Sequence, residues 1–319
     1  MTVYGFHASH EQISPRQLLA DVQLAEQVGF AAAMCSDHLE PWSKRQGHSG
    51  MAWPWLGAAL ATTNLSFGTV TAPGQRYHPV IVAHAIATLG QIFPGRFWTA
   101  LGSGQNVSEH VTAEVWPAKP VRQQRLEECV DIISRLLDGE TVTHDGLVKV
   151  HQAKLWEVAD PRPKLIAPAI TVDTAVRGAR WADGLATINQ DADVLRRMLD
   201  AWDEAGGADH KILQVHLAWG PTAEEAFAVA NDQWRSNVFA PPANTDLLVD
   251  AYDAVSTEGI SAAQLHSSVL ISADLGELTQ RIHDLASLGF DTVYLHHVGQ
   301  EQRPFLEIFG ARVLPQLNQ

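Results

Sequence analysis

Cysteine is nearly absent: Cys35 and Cys129 are the only two in 319 residues. Two thiols so far apart in sequence make no disulfide framework, and the expectation is a reduced, cytoplasmic protein. Positive charge is scarce as well. Lysine and arginine number 22 against 36 acidic residues, a formal net charge of −14 with no basic cluster to offset it. Such a chain repels a phosphate backbone, which argues against nucleic acid as a partner. No apolar run reaches the ~18 residues needed to span a bilayer, so no membrane contact is expected. The start, Met1-Thr2-Val3-Tyr4-Gly5-Phe6, lacks the basic opening and long apolar core of a signal peptide. There is no internal repeat, no low-complexity segment and no linker rich in proline, glycine or serine. Metal-ligand spacing is missing too. The 15 histidines include no H-x-H and no H-E-x-x-H, and His296-His297, as neighbours on a strand, point to opposite faces. No metal is expected.

What is present is a chain 46% hydrophobic and 18% charged, a globular composition. Short apolar runs, each fit for a strand buried on both faces, alternate with amphipathic stretches. Strands are predicted at 3–7, 30–35, 65–71, 97–101, 164–169, 183–188, 212–219 and 292–296. Helix signals stand between them: the Ser14-Pro15 start, a loop over 47–55 running into a helix at 56–61, the long inner face of 121–137, and a helix at 173–181. Eight such units predict an α/β fold, a (β/α)8 barrel formed as one domain over 1–319. Two stretches break the alternation. One, about 138–160, carries a hairpin signal at Asp145-Gly146. The other, 236–267, contains Pro241, Pro242 and a short helix at 245–252, and is expected near the pocket or at a homodimer interface.

In a barrel of parallel strands, ligands bind at the carboxyl ends. Those ends carry His7 and His10 after the first strand and Asp37, His38 and Trp42 after the second. Thr71 and Ala72 follow the third, and Gly102, Ser103, Gly104, Gln105 and Asn106 the fourth. Ala169, Ile170 and Thr171 follow the fifth, with Thr187, Asn189, Trp219, His296 and His297 on the rest. Histidine between carboxylates, with an indole four residues on, suits proton transfer; a capped turn with a merely hydrogen-bonded His38 explains the same residues. Gly102-Ser103-Gly104 is no dinucleotide fingerprint, since the third glycine is missing. Thr171 and Thr174 suit a phosphate at a helix start, and ordinary capping explains them equally.

Several motifs resemble the luciferase-like oxidoreductase superfamily: Ser36-Asp37-His38-Leu39-Glu40-Pro41-Trp42, Arg76-Tyr77-His78-Pro79, Pro94-Gly95-Arg96, Gly102-Ser103-Gly104 and Gln302-Arg303-Pro304-Phe305-Leu306. The similarity runs nearly end to end. It is nearest to the branch of deazaflavin-dependent glucose-6-phosphate dehydrogenases, and closer still to an offshoot of flavinoid oxidoreductases that do not use deazaflavin. The resemblance implies a luciferase-like barrel with a flavin-type ring at the strand ends. The ring would be FMN, favoured, or the deazaflavin coenzyme F420, used on a small neutral substrate by hydride transfer or monooxygenation. A flavin reductase is the implied electron source in the FMN case. Carried over by position, His38 resembles the catalytic base and Trp42 the residue over substrate. Asp37 resembles a cofactor contact, joined by Thr71, Ala72, Gly102 to Asn106, and Ala169 to Thr171.

Departures accompany the likeness. Gln105 stands where the dehydrogenases carry a proton-donating glutamate, and an amide cannot transfer a proton. The loop at 69–73 is one residue shorter where the family forms a non-prolyl cis bulge. Pro168-Ala169-Ile170-Thr171 replaces a phosphate-contacting glycine pair, and Asp191, Tyr252 and Gln264 fall near the places of sugar-phosphate cations. A phosphosugar substrate is therefore not expected. Two other readings follow: a flavin-binding protein without catalysis, suggested by Gln105, and a metal-dependent hydrolase, suggested by the histidine count.

Overall fold

A computed structural model of the chain describes residues 2–239, 243–257 and 260–319. Eight strands form the barrel: β1 Val3–Ala8, β2 Ala32–Ser36, β3 Ser66–Thr71, β4 Phe97–Leu101, β5 Lys164–Pro168, β6 Leu185–Ile188, β7 Lys211–Trp219 and β8 Thr292–His297. All pair in parallel in the order β7-β8-β1-β2-β3-β4-β5-β6, and β6 returns to β7 to close the ring. Each predicted strand is present within a residue or two of its expected bounds. Helices cover the outside. Pro15–Gln27 starts at Ser14, whose side chain accepts from the Gln17 amide, and Pro79–Ile92 starts at His78, which caps through its ring.

The expected bounds differ from the structure in several places; the helix read at 245–252, for one, is two helices, Ala243–Asp246 and Val249–Thr257. The loop read over 47–55 is already helical from Ala52, because Trp53, Pro54 and Trp55 occupy the first turn of Ala52–Thr62. The helix expected at 173–181 ends at Gly178, with Trp181 beyond it. A ninth strand, Leu270–Ser272, was not foreseen. It pairs with the upper half of β7, Leu217 to Trp219, while β6 pairs with the lower half, Lys211 to Gln214. Three residues are too few to show a period, so its pattern was unreadable.

The two interruptions serve different ends of the molecule. Val142–Asp145 and Lys149–Ala153 form the antiparallel hairpin, docked on helix Lys119–Leu137 through the Glu128 carboxylate. The second stretch folds as Ala243–Asp246, Val249–Thr257 and Ala262–Ser268. Pro241 and Pro242 lie outside the described residues. For the homodimer interface considered there, the exposed large apolar side chains among the described residues are Leu248 and Val255, 38% and 43% exposed.

Strand alternation sorts the core into two regions. Phe6, Ala33, Cys35, Phe67 and Leu101 face the helices, whereas Ala32, Met34, Trp98, Ala100, Ile166, Ala186, Ile212 and Tyr294 fill the barrel. Two glycines make room inside. Tyr294 crosses Gly5, and Trp98 crosses Gly68, where a Cβ would lie 1.9 Å from the indole. The two large rings then meet, with Trp98 Nε1 donating to the Tyr294 hydroxyl at 3.3 Å.

Because the indole cannot retreat in a closed barrel, Gly68→Ala is expected to destabilise by about 1–3 kcal/mol or more. Thermal unfolding checks this, and an unchanged midpoint would show that the interior has slack.

Candidate active site

The centre of the site is an ion pair between the first two strand ends. His38, just beyond β2, directs Nδ1 at Glu11 Oε1 at 2.5 Å, and the second oxygen of Glu11 accepts from Ser9 Oγ at 2.9 Å. Burial pushes the Glu11 carboxyl up. The charge and hydrogen bond of His38, Glu11's own backbone amide and His7 pull it down further, to about 2. Glu11 is thus ionised, and its hold on Nδ1 leaves Nε2 as the nitrogen of His38 able to take a proton. The His38 side chain keeps 17% exposure against 4% for Glu11. Trp42 stands edge-on to His38 at 5.0 Å, and Tyr252 stands edge-on behind Trp42 at 5.5 Å.

Asp37 and Thr71 lie elsewhere than the mouth. Both are buried, and Thr71 Oγ1 donates to Asp37 Oδ2 at 2.8 Å. Arg76 closes this group: its guanidinium donates to the Asp37 carbonyl at 2.6 Å and approaches the carboxylates of Asp37 and Glu109 at 3.5 and 3.6 Å. Burial raises the Glu109 carboxyl, opposed by Arg76 and Arg125. The network ties the loops after β2, β3 and β4 from behind.

Gly102 continues the inward series Trp98, Ala100, and a Cβ there would meet only Pro168 and the Thr71 carbonyl, at 3.5 and 3.7 Å. Gly104 takes φ +85°, a conformation natural to glycine. Ala72, Ser103, Gln105, Ile170 and Thr171 are half-buried around this opening, and Ala169 is buried. Gln105 precedes the short helix Asn106–Glu109 without capping it through its side chain, whereas the Asn106 amide donates to the Asp246 carbonyl at 3.0 Å. Thr171 caps Val172–Gly178 by accepting from the Thr174 amide. Among the described residues the cis peptide is Asp160–Pro161, so the 69–73 stretch runs trans throughout.

The segment 243–257 reaches across this face from the β7 side. Asp253 accepts from Ser43 Oγ at 2.6 Å, Asp246 accepts from Trp116 Nε1 at 3.0 Å, and Arg235 donates to the Ser256 carbonyl at 2.6 Å. The insertion therefore joins the loops after β2, β4 and β7, as its expected place near the pocket requires. Two surface depressions, about 620 and 360 Å³, lie away from this mouth, one near Arg196 and Asp284 and one on the hairpin.

Sequence reasoning missed Glu11, although it lies between His10 and the helix start. Its signal was the run Ser9-His10-Glu11-Gln12, four polar residues directly after an apolar strand. It also missed a row of imidazoles. His216 and His296 are direct partners across β7 and β8, and His7, inside β1 rather than after it, lies beside His296 with ring centres 4.3 Å apart. The Gln214 amide donates to His216 Nε2 at 3.0 Å and His296 Nδ1 at 3.3 Å, so His296 carries its proton on Nε2 and donates to Gln12 Oε1 at 2.8 Å. His297 faces outward, stacked on Phe305 at 4.9 Å. Burial pulls His7, His10 and His297 down to about 4 and His216 to about 3, with His296 also well below its usual range. All are neutral at pH 7. No group of three or more His, Cys, Asp or Glu side chains suited to a metal occurs among the described residues.

A family model described as luciferase-like monooxygenase matches residues 1–292. The F420-dependent glucose-6-phosphate dehydrogenase of Microbacterium testaceum is 32% identical over 99% of this chain and 97% of its own. The protein of the same name from Beutenbergia cavernae is 33% identical over 98% of this chain and 97% of its own. Among solved structures, an F420-dependent secondary alcohol dehydrogenase in complex with an F420–acetone adduct has a TM-score of 0.92 at 26% identity, covering 100% of this chain and 99% of that one. The family and the branch expected from the motifs are thus borne out.

The buried imidazoles predict an acid-sensitive fold. Unfolded, each titrates near 6.5; folded, His7, His10 and His297 titrate near 4 and His216 near 3. Between those values the unfolded chain binds more protons, so stability is full above about pH 6.5 and falls as pH drops toward about 4. Glu11 acts lower. Its contribution is present above the unfolded value of 4.5 and is lost as pH falls toward about 2. Calorimetry should show a flat midpoint above about pH 7 and a steady decline below it, shallower in His216→Leu. A midpoint that is constant down to about pH 4.5 would contradict neutral burial.

Proposed function

The chain belongs to the luciferase-like monooxygenase family, and on that premise we propose that it is a deazaflavin (F420)-dependent oxidoreductase of a small neutral alcohol or carbonyl compound. One observation carries the reading: an ionised, buried Glu11 holds Nδ1 of His38 and leaves Nε2 outside the ion pair, on a side chain that keeps 17% exposure. The named relatives support F420 over FMN, reversing the preference drawn from the motifs. With a dissociable hydride carrier no flavin reductase is required; such a partner belongs to the FMN reading.

The mouth suits a planar heterocycle. Gly102 leaves the space of a side chain beside the backbone, and His7 Nδ1 and Gln190 Nε2 are buried without partners in the chain. Gly102 to Gly104, Ala72 and Ala169 to Thr171 would lie against the ring, with Asp37 and Thr71 contributing through backbone because their side chains bond each other and Arg76. Bound there, a deazaflavin supplies a two-electron hydride acceptor or donor. The chain's own task is the proton. His38 takes it from the substrate hydroxyl at Nε2, and the Glu11 carboxylate stabilises the imidazolium through Nδ1. Trp42 fixes the imidazole plane and walls the substrate. Gln105 offers a hydrogen bond but no proton.

The substrate is uncharged because the arginines around the mouth are already engaged. Arg45 pairs with Asp253, Arg76 with Asp37 and Glu109, Arg122 with Asp246, and Arg125 with Gln75. Among the described residues, these arginines leave a phosphate no unengaged guanidinium to desolvate against.

Titration with F420 and FMN separately should show tighter binding of F420, and failure of both removes the reading. His38→Ala should lower kcat by roughly 10²–10⁴ with cofactor affinity kept within about three-fold. Glu11→Gln should lower kcat by roughly ten-fold or more. Turnover undiminished in His38→Ala would exclude His38 as the base, and absence of turnover in the wild type despite F420 binding would favour the non-catalytic reading.

A further inference from the structure

Three adjacent strands present imidazoles to the barrel mouth in one layer, and the catalytic reading uses none of them. His296 is engaged at both ring nitrogens, between Gln214 and Gln12, and His216 accepts from Gln214 at Nε2. Gln12 is held in turn by the Val298 carbonyl and by Gln233 at 3.3 Å. Trp234 packs on His216 at 4.5 Å and stands edge-on to His296 at 5.0 Å. The row is therefore rigid, with its proton positions set by fixed amides.

His7, at the head of the row, differs. It is 2% exposed, and Nδ1 is buried with no hydrogen-bond partner. A buried polar group in that condition destabilises the fold unless something outside the chain satisfies it. His7 points inward like Gly5 two residues before it and lies near enough to Glu11 and His38 to feel both charges. A molecule that brings an oxygen to His38 Nε2 therefore brings it to the neighbourhood of His7.

We propose that His7 is a substrate-binding residue, its unpartnered imidazole hydrogen-bonding the same substrate oxygen whose proton His38 moves. The row behind it favours an uncharged alcohol or ketone over a phosphorylated sugar. The inference rests on the oxidoreductase reading above. The two histidines divide the work by environment: His38, paired with a carboxylate, changes protonation, while His7, buried and with no carboxylate bonded to its ring, stays neutral and only donates or accepts a hydrogen bond. A neutral donor serves the oxygen both as hydroxyl and as carbonyl. It offers no charge to a phosphate, whose desolvation would then go uncompensated.

The test uses the full-length protein with F420, 2-propanol as the neutral probe and glucose 6-phosphate as the charged one. The wild type should prefer 2-propanol. His7→Phe, close in volume, should lose roughly ten-fold in kcat/KM for 2-propanol, mostly in KM. His7→Asn, which keeps a donor near the Nδ1 position, should recover to within about three-fold. F420 affinity by fluorescence titration should stay within about two-fold in both. An unchanged kcat/KM in His7→Phe, or preference for glucose 6-phosphate, overturns the proposal. Ring ¹⁵N shifts of His7 in the wild type with F420 bound give a readout free of turnover and of variant folding. Movement on adding 2-propanol supports the contact, and no movement overturns it. Failure of F420 to bind would bring down the underlying cofactor reading, an outcome distinct from bound F420 with an indifferent His7.

Discussion

Closure of eight parallel strands into one ring is the constraint on which the rest of this molecule depends. Parallel strands leave no spare backbone partners once each has two neighbours, so the seam between β6 and β7 sets the register of the ring. β7 is nine residues long and divides its length, closing the ring with its first half and accepting a ninth strand with its second. Its upper half therefore rises at the mouth as a wall, just beyond Gln214 and His216. A shorter β7 would have left that part of the mouth to loops.

The same closure explains how charge is distributed. Inside the ring the chain places apolar groups, two glycines that admit large rings, and neutral imidazoles. Outside and beneath the loops it places a charged network, with Arg76 between the carboxylates of Asp37 and Glu109. Cations of the face are matched to acids of the chain itself, including Asp246 and Asp253 from the segment that crosses the mouth. What remains for a visiting molecule is one histidine held by its carboxylate, aromatic walls and hydrogen-bonding groups without charge. On the proposed reading that environment serves proton and hydride movement on a neutral molecule, where electrostatic effects are strengthened by the exclusion of water.

Much of this was legible in the chain because it depends on local pattern. The eight apolar runs, Ser14-Pro15, the Asp145-Gly146 turn and the cluster after β2 each announce themselves over a few residues. The opposite facing of His296 and His297 follows from the two-residue period of a strand and is what the structure shows. Glu11 was not legible as His38's partner, since 27 positions separate them. Asp37 and Thr71 are strand-end residues by position, yet their side chains turn behind the loops because strand alternation carries them outward.

Composition, periodicity and motif residues alone determined the barrel class, the absence of a disulfide framework and the nomination of His38 with Trp42, because each rests on neighbours along the chain. Only the tertiary structure decided which carboxylate holds His38, that three histidines from β1, β7 and β8 form a single row, and which face the 243–257 segment covers. Those relations are set by ring closure and strand register, which bring together residues more than two hundred positions apart and leave no trace in local spacing.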